Sequence, residues 1–150
     1  MRRYYLWATL AVFGACPFLA NAEQLERFGD WELHYIVVPS TFPSAAVATS
    51  YGIVRAHNRS FLNLTLLDGD KVAQPARVSG TYTNLLSQAQ PLEFREIKEG
   101  PALYYIAEFT HDDQQVLRFS ITVNADERAP MTLEFQHKVH WEEGRAGRSR

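Results

Sequence analysis

The stretch LRFSITV, from Leu117 to Val123, alternates large apolar side chains with polar ones at every position. Such alternation is typical of a β-strand with one face against a core and the other in water. Successive side chains of a strand point to opposite faces, so the Leu, Phe, Ile and Val side chains share one face. The stretch therefore predicts a half-buried strand of an antiparallel sheet.

The same period of two recurs along most of the chain, interrupted by turn signals such as Asp68-Gly69 and Glu99-Gly100-Pro101. The segments that show it are Trp31–Val37, Leu62–Leu66, Arg77–Thr83, Leu92–Ile97, Leu103–Phe109, Leu117–Val123 and Leu133–Trp141. Many short strands with regular turns indicate an all-β fold. We expect a single immunoglobulin-like antiparallel β-sandwich of seven or eight strands, with a closed barrel as the alternative.

One segment, Pro39 to Gly52, lacks this alternation. Ser44 can cap the start of a helix, and Gly52 can supply the left-handed residue that ends it. The segment therefore predicts a short helix inserted between the first two strands.

The N-terminus has the features of a secretory signal peptide. Arg2 and Arg3 precede the mostly apolar run Tyr4–Phe13, and small residues occupy Ala20 and Ala22 just before Glu23. A charged start, a short apolar stretch and an Ala-x-Ala end are typical of cleaved export signals. We therefore predict cleavage after Ala22 and a soluble protein of the periplasm.

The only cysteine, Cys16, offers an alternative. Phe13-Gly14-Ala15-Cys16 loosely resembles a lipobox, and processing there would give a membrane-anchored lipoprotein. The apolar run is too short to span a bilayer, which needs about 20 apolar residues, so no transmembrane helix is expected after processing. Cleavage after Ala22 would remove the thiol and exclude disulfides and thiolate metal sites, which is ordinary for a bacterial periplasmic protein.

Removing the predicted signal peptide, residues 1–22, leaves a β-sandwich domain at 23–143 and a basic tail at 144–150, which we expect to be disordered. Loss of Arg2 and Arg3 leaves 13 basic residues against 17 acidic ones, a net charge of −4. This balance argues against binding to nucleic acid.

Several segments carry a resemblance to a known family. They read RFGDWELHY at 27–35, SYGIVR at 50–55, VSGTYTNLL at 78–86 and YYIAEF at 104–109. These segments are similar to an exported gammaproteobacterial family labelled domain of unknown function 4426, and the likeness extends from about Phe28 to Trp141. It implies a periplasmic β-sandwich behind a signal peptide, and it brings no catalytic residues.

The residues themselves do not predict catalysis. The chain has no Gly-x-Ser-x-Gly elbow and no Ser-x-x-Lys motif, so we predict no enzyme, no catalytic residue and no cofactor.

His111, Asp112 and Asp113 form the best local cluster for a metal, with one nitrogen and two oxygens on a loop. Polar hairpin turns have the same composition, and copper(I) would favour more methionine than Met131 alone.

Two further histidines, His137 and His140, differ in position by an odd number. On a regular strand they would point to opposite faces and could not chelate one ion together. His137 shares its phase with Phe135 and Val139, so we expect it to be buried or half-buried.

The remaining prediction is a non-catalytic binding or accessory module whose partner is another envelope protein. Loops on a rigid sandwich commonly carry recognition, and two of them contain apolar residues. The predicted contact residues are Phe42, Val47, Tyr51, Leu85, Leu86 and Gln88. Two alternatives stay open. The apolar members could cap the ends of the core, and the protein could instead be a small-ligand or metal binder, or a hydrolase, acting through loop residues around His111.

Overall fold

The computed structural model of the protein describes residues 23–142. The predicted signal peptide, with Cys16, Ala20 and Ala22, lies outside these residues, as do residues 143–150. The part described contains nine β-strands and one short helix. They are β1 (Gln24–Phe28), β2 (Trp31–Pro39), α1 (Ala45–Ser50), β3 (Arg59–Leu67), β4 (Arg77–Thr83), β5 (Ala89–Leu92), β6 (Arg95–Glu99), β7 (Ala102–Thr110), β8 (Val116–Asn124) and β9 (Met131–Lys138).

The strands form two antiparallel sheets with a shared core. One sheet has the order β1-β2-β3-β7-β6 and the other the order β5-β4-β8-β9. Apart from the extra strand β1, these orders match the ABED and CFG sheets of immunoglobulin-type sandwiches, with β5 added beside the CFG sheet. The predicted β-sandwich is therefore confirmed.

The number of strands is larger than the seven or eight predicted, for two reasons. β1 is almost wholly exposed, so it lacks the apolar alternation by which the other strands are recognised. The segment Leu92–Ile97, predicted as one strand, is divided between β5 and β6, which belong to different sheets. The Asp68-Gly69 turn likewise leads from β3 to β4 in the opposite sheet.

Aromatic rings join the two sheets across the core. Phe119 of β8 stacks on Phe135 of β9 with ring centroids 4.8 Å apart, and Phe135 contacts Tyr35 of β2 at 4.7 Å. Towards one end of the sandwich, Phe109 of β7 lies 5.2 Å from Phe119 and 5.3 Å from Tyr82. These rings bury apolar surface from both sheets and hold the end of β4 against β7.

Gly80 in β4 is required by the close approach of the neighbouring strand. A Cβ atom at this position would lie 2.6 Å from the Ser120 carbonyl oxygen and 2.6 Å from Ile121 Cδ1. A backbone oxygen on β8 cannot move away without disturbing the strand pairing, so only glycine fits here.

Helix α1 is present as predicted and covers the outer face of the five-stranded sheet. Ser44 Oγ accepts a hydrogen bond from the Val47 amide at 3.2 Å, and Gly52 adopts a φ of +65° at the end of the insert. Ala48 is buried and packs with Ile53, Phe61 and Ile106 in a small second core. The helix follows β2 and therefore lies between the second and third strands of the protein. The prediction placed it between the first two strands because β1 was not expected.

Candidate functional site

One end of the sandwich, here called the loop end, collects the segments predicted to bind a partner. Pro39 at the end of β2 pairs with Ser60, and Thr110 at the end of β7 pairs with Arg59. In the other sheet β4 ends at Thr83. The hydroxyl of the preceding residue, Tyr82, donates a long hydrogen bond of 3.5 Å to the Thr110 carbonyl oxygen. The insert that follows β2 and the loop that follows β4 therefore emerge at the same end.

The loop after β4 presents two leucines to solvent. Leu85 is 60% exposed and Leu86 is 80% exposed. The alternative that these leucines cap the end of the core is therefore wrong, because neither side chain is buried against the core. Phe42, on the insert that follows β2, is 82% exposed and is not a core cap either.

Asn84 holds this leucine loop in a defined turn. Its Oδ1 atom accepts hydrogen bonds of 3.0 Å from the backbone amides of Leu86 and Gln88. Its Nδ2 atom donates to Gln88 Oε1 at 2.7 Å, and its carbonyl oxygen accepts from the Ser87 amide. The two leucines are thus held on an ordered turn, although they make no contribution to the core.

The other predicted contact residues border an apolar groove beside α1. Phe42, Val47 and Tyr51 form one wall of this groove, which has a volume of about 300 Å³. Phe61 and Ile106 of the sheet form its floor. Across the groove the Tyr51 hydroxyl donates to Glu99 Oε2, and this hydrogen bond raises the pKa of Tyr51, with burial adding to the effect.

A charged network fastens the end of the insert to the sheet. Glu108 Oε1 accepts from the Val54 amide at 2.8 Å, and its Oε2 lies 3.2 Å from Arg95 Nη1. Arg95 also donates to the Tyr51 carbonyl oxygen at 3.0 Å, and Arg59 lies 3.6 Å from Glu108 Oε1. The Glu108 carboxylate is nearly buried. These hydrogen bonds and ion pairs offset the free-energy cost of removing its charge from water.

A polar cleft lies between the two sheets at the loop end. It has a volume of about 510 Å³, and its wall combines β4 and β8 with residues next to β3 and β7. Half of the lining side chains are carboxamides, and Asp112 is the one carboxylate. The lining residues are Asn58, Tyr82, Asn84, Gln88, Gln90, Thr110, His111, Asp112, Gln115 and Leu117. Of the predicted residues, Gln88, His111 and Asp112 meet in this cleft.

His111 is buried, and both of its ring nitrogens have protein partners. Nδ1 lies 3.0 Å from the Asp112 carbonyl oxygen and Nε2 lies 3.0 Å from Ser60 Oγ. Because a carbonyl oxygen only accepts, neutral His111 carries its proton on Nδ1, and Nε2 accepts from the Ser60 hydroxyl. The ring thereby ties the end of β7 to the start of β3.

The neighbouring aspartates turn away from this ring. Asp113 Oδ1 accepts from the backbone amide of Trp141, while Asp112 is exposed at the rim of the cleft. Within residues 23–142 no group of three or more His, Cys, Asp or Glu side chains is arranged to hold a metal ion. The sequence cluster at His111, Asp112 and Asp113 is therefore not brought together as one ligand set.

His137 is half-buried and lies in the inward phase of β9, opposite Leu117, as predicted. Burial lowers its pKa, and nearby His140 and His111 add to the lowering. His140 itself is exposed.

The sequence did not predict one further cluster, around Glu32 on the outer face of β2. This nearly buried carboxylate lies 3.2 Å from Arg27 Nη2 and 3.2 Å from His34 Nε2, and it also pairs with Lys71. The hydrogen bonds from Lys71 and His34 hold the pKa of Glu32 below its ordinary value of 4.5. The alternation of β2 places Glu32 outward, and only the folded register brings Lys71 to it.

The cleft residues Asn58, Tyr82 and Gln115 were also not predicted, whereas Gln90 ends the loop Leu85–Gln90 that the sequence predicts as a contact surface. Gln90 carried a usable signal, since it shares the inward phase of β5 with buried Leu92 and opposes Tyr82. A polar residue at an inward position near a strand end is a candidate for such a cleft. Asn58 and Gln115 lie in loops, where sequence patterns give no such signal.

The chain is similar to known proteins in both sequence and structure. The sequence model of a family described as a domain of unknown function, DUF4426, matches residues 25–142. A DUF4426 family protein from Pseudomonas aeruginosa PAO1, of known crystal structure, is 33% identical, with a TM-score of 0.73 over 81% of this chain and 97% of that one. No curated protein matched in sequence.

Two structures of FetP from uropathogenic Escherichia coli strain F11 share the fold at much lower identity. FetP as isolated, expressed in the periplasm of a laboratory E. coli strain, is 11% identical with a TM-score of 0.60 and covers 81% of this chain and 96% of its own. A copper-bound FetP variant is 13% identical with a TM-score of 0.58, covering 81% and 97%. Within the part of the chain described here, no helix is long and apolar enough to cross a membrane. Because the family model spans most of the chain, the protein belongs to the DUF4426 family.

Proposed function

We propose that the protein is a non-catalytic binding module of the bacterial periplasm that contacts another envelope protein through its loop end. The contact surface comprises the leucine loop, with Leu85, Leu86 and Gln88, and the rim of the groove beside α1, with Phe42, Val47 and Tyr51.

The observation that carries the proposal is the exposure of Leu85 and Leu86 on a turn that Asn84 fixes. A flexible loop could fold its apolar side chains away, but this turn holds both in water. Apolar side chains held in this way gain free energy when a partner covers them, and little ordering entropy opposes binding. Phe42 adds a third exposed apolar side chain at the same end.

Three contacts support a role without catalysis. The ring nitrogens of His111 are engaged by Ser60 and by the Asp112 carbonyl, so the ring serves to hold strands together. Asp113, the other candidate acid beside it, is engaged by Trp141.

Copper binding is not carried over from FetP. An identity of 11–13% supports a common fold alone. The donor set here is also unsuited to copper(I), because Met131 is buried in the core and the described histidines do not converge with other ligands.

Export is the second part of the proposal. The sequence of residues 1–22 supports cleavage after Ala22, so the protein recovered from the periplasm should begin at Glu23. Intact mass spectrometry of that protein tests this start, and a lipid-modified chain beginning at Cys16 would overturn it.

Crosslinking in the intact envelope tests the proposed function. A lysine- and acid-reactive crosslinker with mass spectrometry should capture an envelope protein on the wild-type chain. Leu85→Ser with Leu86→Ser should weaken this capture roughly tenfold or more, as expected for removal of central apolar contacts. Val72→Ser is the matched control, because Val72 is 55% exposed and lies beyond β3 at the opposite end. Equal capture by both variants would refute the proposal.

A further inference from the structure

The cleft between the sheets at the loop end has a chemistry different from that of the leucine loop beside it. Its lining is polar and rich in carboxamides, Asp112 is its one carboxylate, and no lysine or arginine contributes to it. We propose that this cleft binds a small neutral carbohydrate, through hydrogen bonds from its carboxamides to sugar hydroxyl groups. The proposal goes beyond the binding of a protein partner and does not depend on it.

Carboxamides left without protein partners are the first argument. Within residues 23–142 the side chains of Asn58 and Gln90 form no hydrogen bond to the protein, although both line the cleft. Gln88 uses only its Oε1 atom, for Asn84, and Gln115 uses only its Oε1 atom, for the Asp112 amide. Their Nε2 groups therefore remain available as donors.

This set of atoms matches a sugar better than other small ligands. A carboxamide offers a donor and an acceptor side by side, and a hydroxyl group of a sugar likewise donates and accepts. A phosphate, sulfate or acidic ligand would find no cation in the cleft and would meet the Asp112 carboxylate. An apolar ligand would leave the carboxamides unpaired, which is costly once they are covered.

The cleft also has a fixed shape. Tyr82 in its wall packs against Phe109 and Phe119 of the aromatic core, and buried His111 is held by Ser60. The Asn84 turn fixes the backbone of Gln88. Its volume of about 510 Å³ lies within the range of about 300–1,000 Å³ common for ligand sites.

The test uses ¹⁵N-labelled protein purified from the periplasm, titrated with maltotriose, triacetylchitotriose, the anionic sugar sialyllactose and the neutral peptide tetra-alanine. Side-chain amide signals of Gln88, Gln90 and Asn58 report directly on the cleft. We expect them to shift with at least one of the two neutral trisaccharides and with neither sialyllactose nor the peptide.

Two variants make the result specific. Gln90→Ala removes an exposed side chain from β5, and we expect it to weaken sugar binding about threefold to tenfold, as for the loss of one or two hydrogen bonds. Gln24→Ala is the matched control, since Gln24 is exposed on β1, which contributes nothing to the cleft. The proposal is overturned if neither neutral sugar shifts the cleft amides, if the peptide or the anionic sugar shifts them instead, or if both variants bind equally.

Discussion

Replacing Asn84 by alanine should loosen the turn that presents the two exposed leucines. The substitution removes the Oδ1 acceptor of two backbone amides, those of Leu86 and Gln88, each at 3.0 Å, and the donor to Gln88 Oε1 at 2.7 Å. The freed amide groups become accessible to water, so each lost bond costs less than it would in the core.

The expected magnitude follows from these contacts. A net contribution of about 0.5–1.5 kcal/mol per hydrogen bond, taken near its lower end for an exposed turn, gives a loss of about 1–2 kcal/mol in the free energy of unfolding. For a chain of this size that corresponds to a fall in Tm of roughly 3–7 °C. Ser87 has a φ of +63°. Replacing it with glycine should relieve backbone strain in the same turn and raise the free energy of unfolding by about 0.5–1 kcal/mol.

Urea denaturation and amide hydrogen exchange measure these effects together. In Asn84→Ala the amides of Leu86 and Gln88 should exchange faster, while those of β8 in the core should follow the global stability alone. Asn84→Asp is the matched variant, because it retains the Oδ acceptor and loses only the side-chain donor, so its effect should be smaller. Unchanged exchange of both amides in Asn84→Ala would refute the account of the turn.

Three further outcomes are expected. Gly80→Ala should lower the free energy of unfolding, measured by urea denaturation, by about 1–3 kcal/mol, because the new Cβ would meet the Ser120 carbonyl oxygen at 2.6 Å. An unchanged free energy of unfolding would show that β4 can move away from β8. The pKa of Glu32 is lowered in the folded state, so its stabilising effect is present above about pH 4.5 and is lost as the pH falls through the folded-state pKa. Unfolding free energies of wild type and Glu32→Gln should therefore differ most near neutral pH and converge in acid, and a constant difference would contradict the assignment. The pKa of His137 is also lowered, so the NMR chemical shift of its C2 proton should titrate with a midpoint below pH 6.5. The free energy of unfolding should fall as the pH drops below that value. A midpoint above 6.5 would contradict the half-buried position of His137.

The sequence predicted the features of the fold that depend on local alternation or on single residues. The helix is one such feature, since Ser44 and Gly52 sit at the positions where a cap and a left-handed residue are needed. The inward position of His137 is another, because it follows from its phase relative to Phe135 alone. The strand β1 was missed because all of its residues except Phe28 are exposed, so the strand shows no apolar alternation and forms by pairing with β2.

The candidate sites depended more strongly on long-range contacts. The structure shows that Leu85 and Leu86 are exposed, whereas the sequence could not distinguish an exposed position from core capping, and their contact with a partner stays a prediction. The polar cleft arises where β4 and β8 meet the ends of β3 and β7, so residues as distant as Asn58 and Gln115 become neighbours. His111 was predicted as a candidate metal ligand because Asp112 and Asp113 follow it, yet its Nε2 atom bonds to Ser60, which is distant in sequence and adjacent only in the folded sheet.

The central claim is that the leucine loop touches a partner in the envelope, and a photo-crosslinker placed in the loop tests it most directly. With p-benzoylphenylalanine at position 86, irradiation of intact cells should give a discrete crosslinked product with one envelope protein. The same residue at position 72, which is exposed at the opposite end, should not give that product. An absence of any product at position 86, or the same product from both positions, would contradict the account.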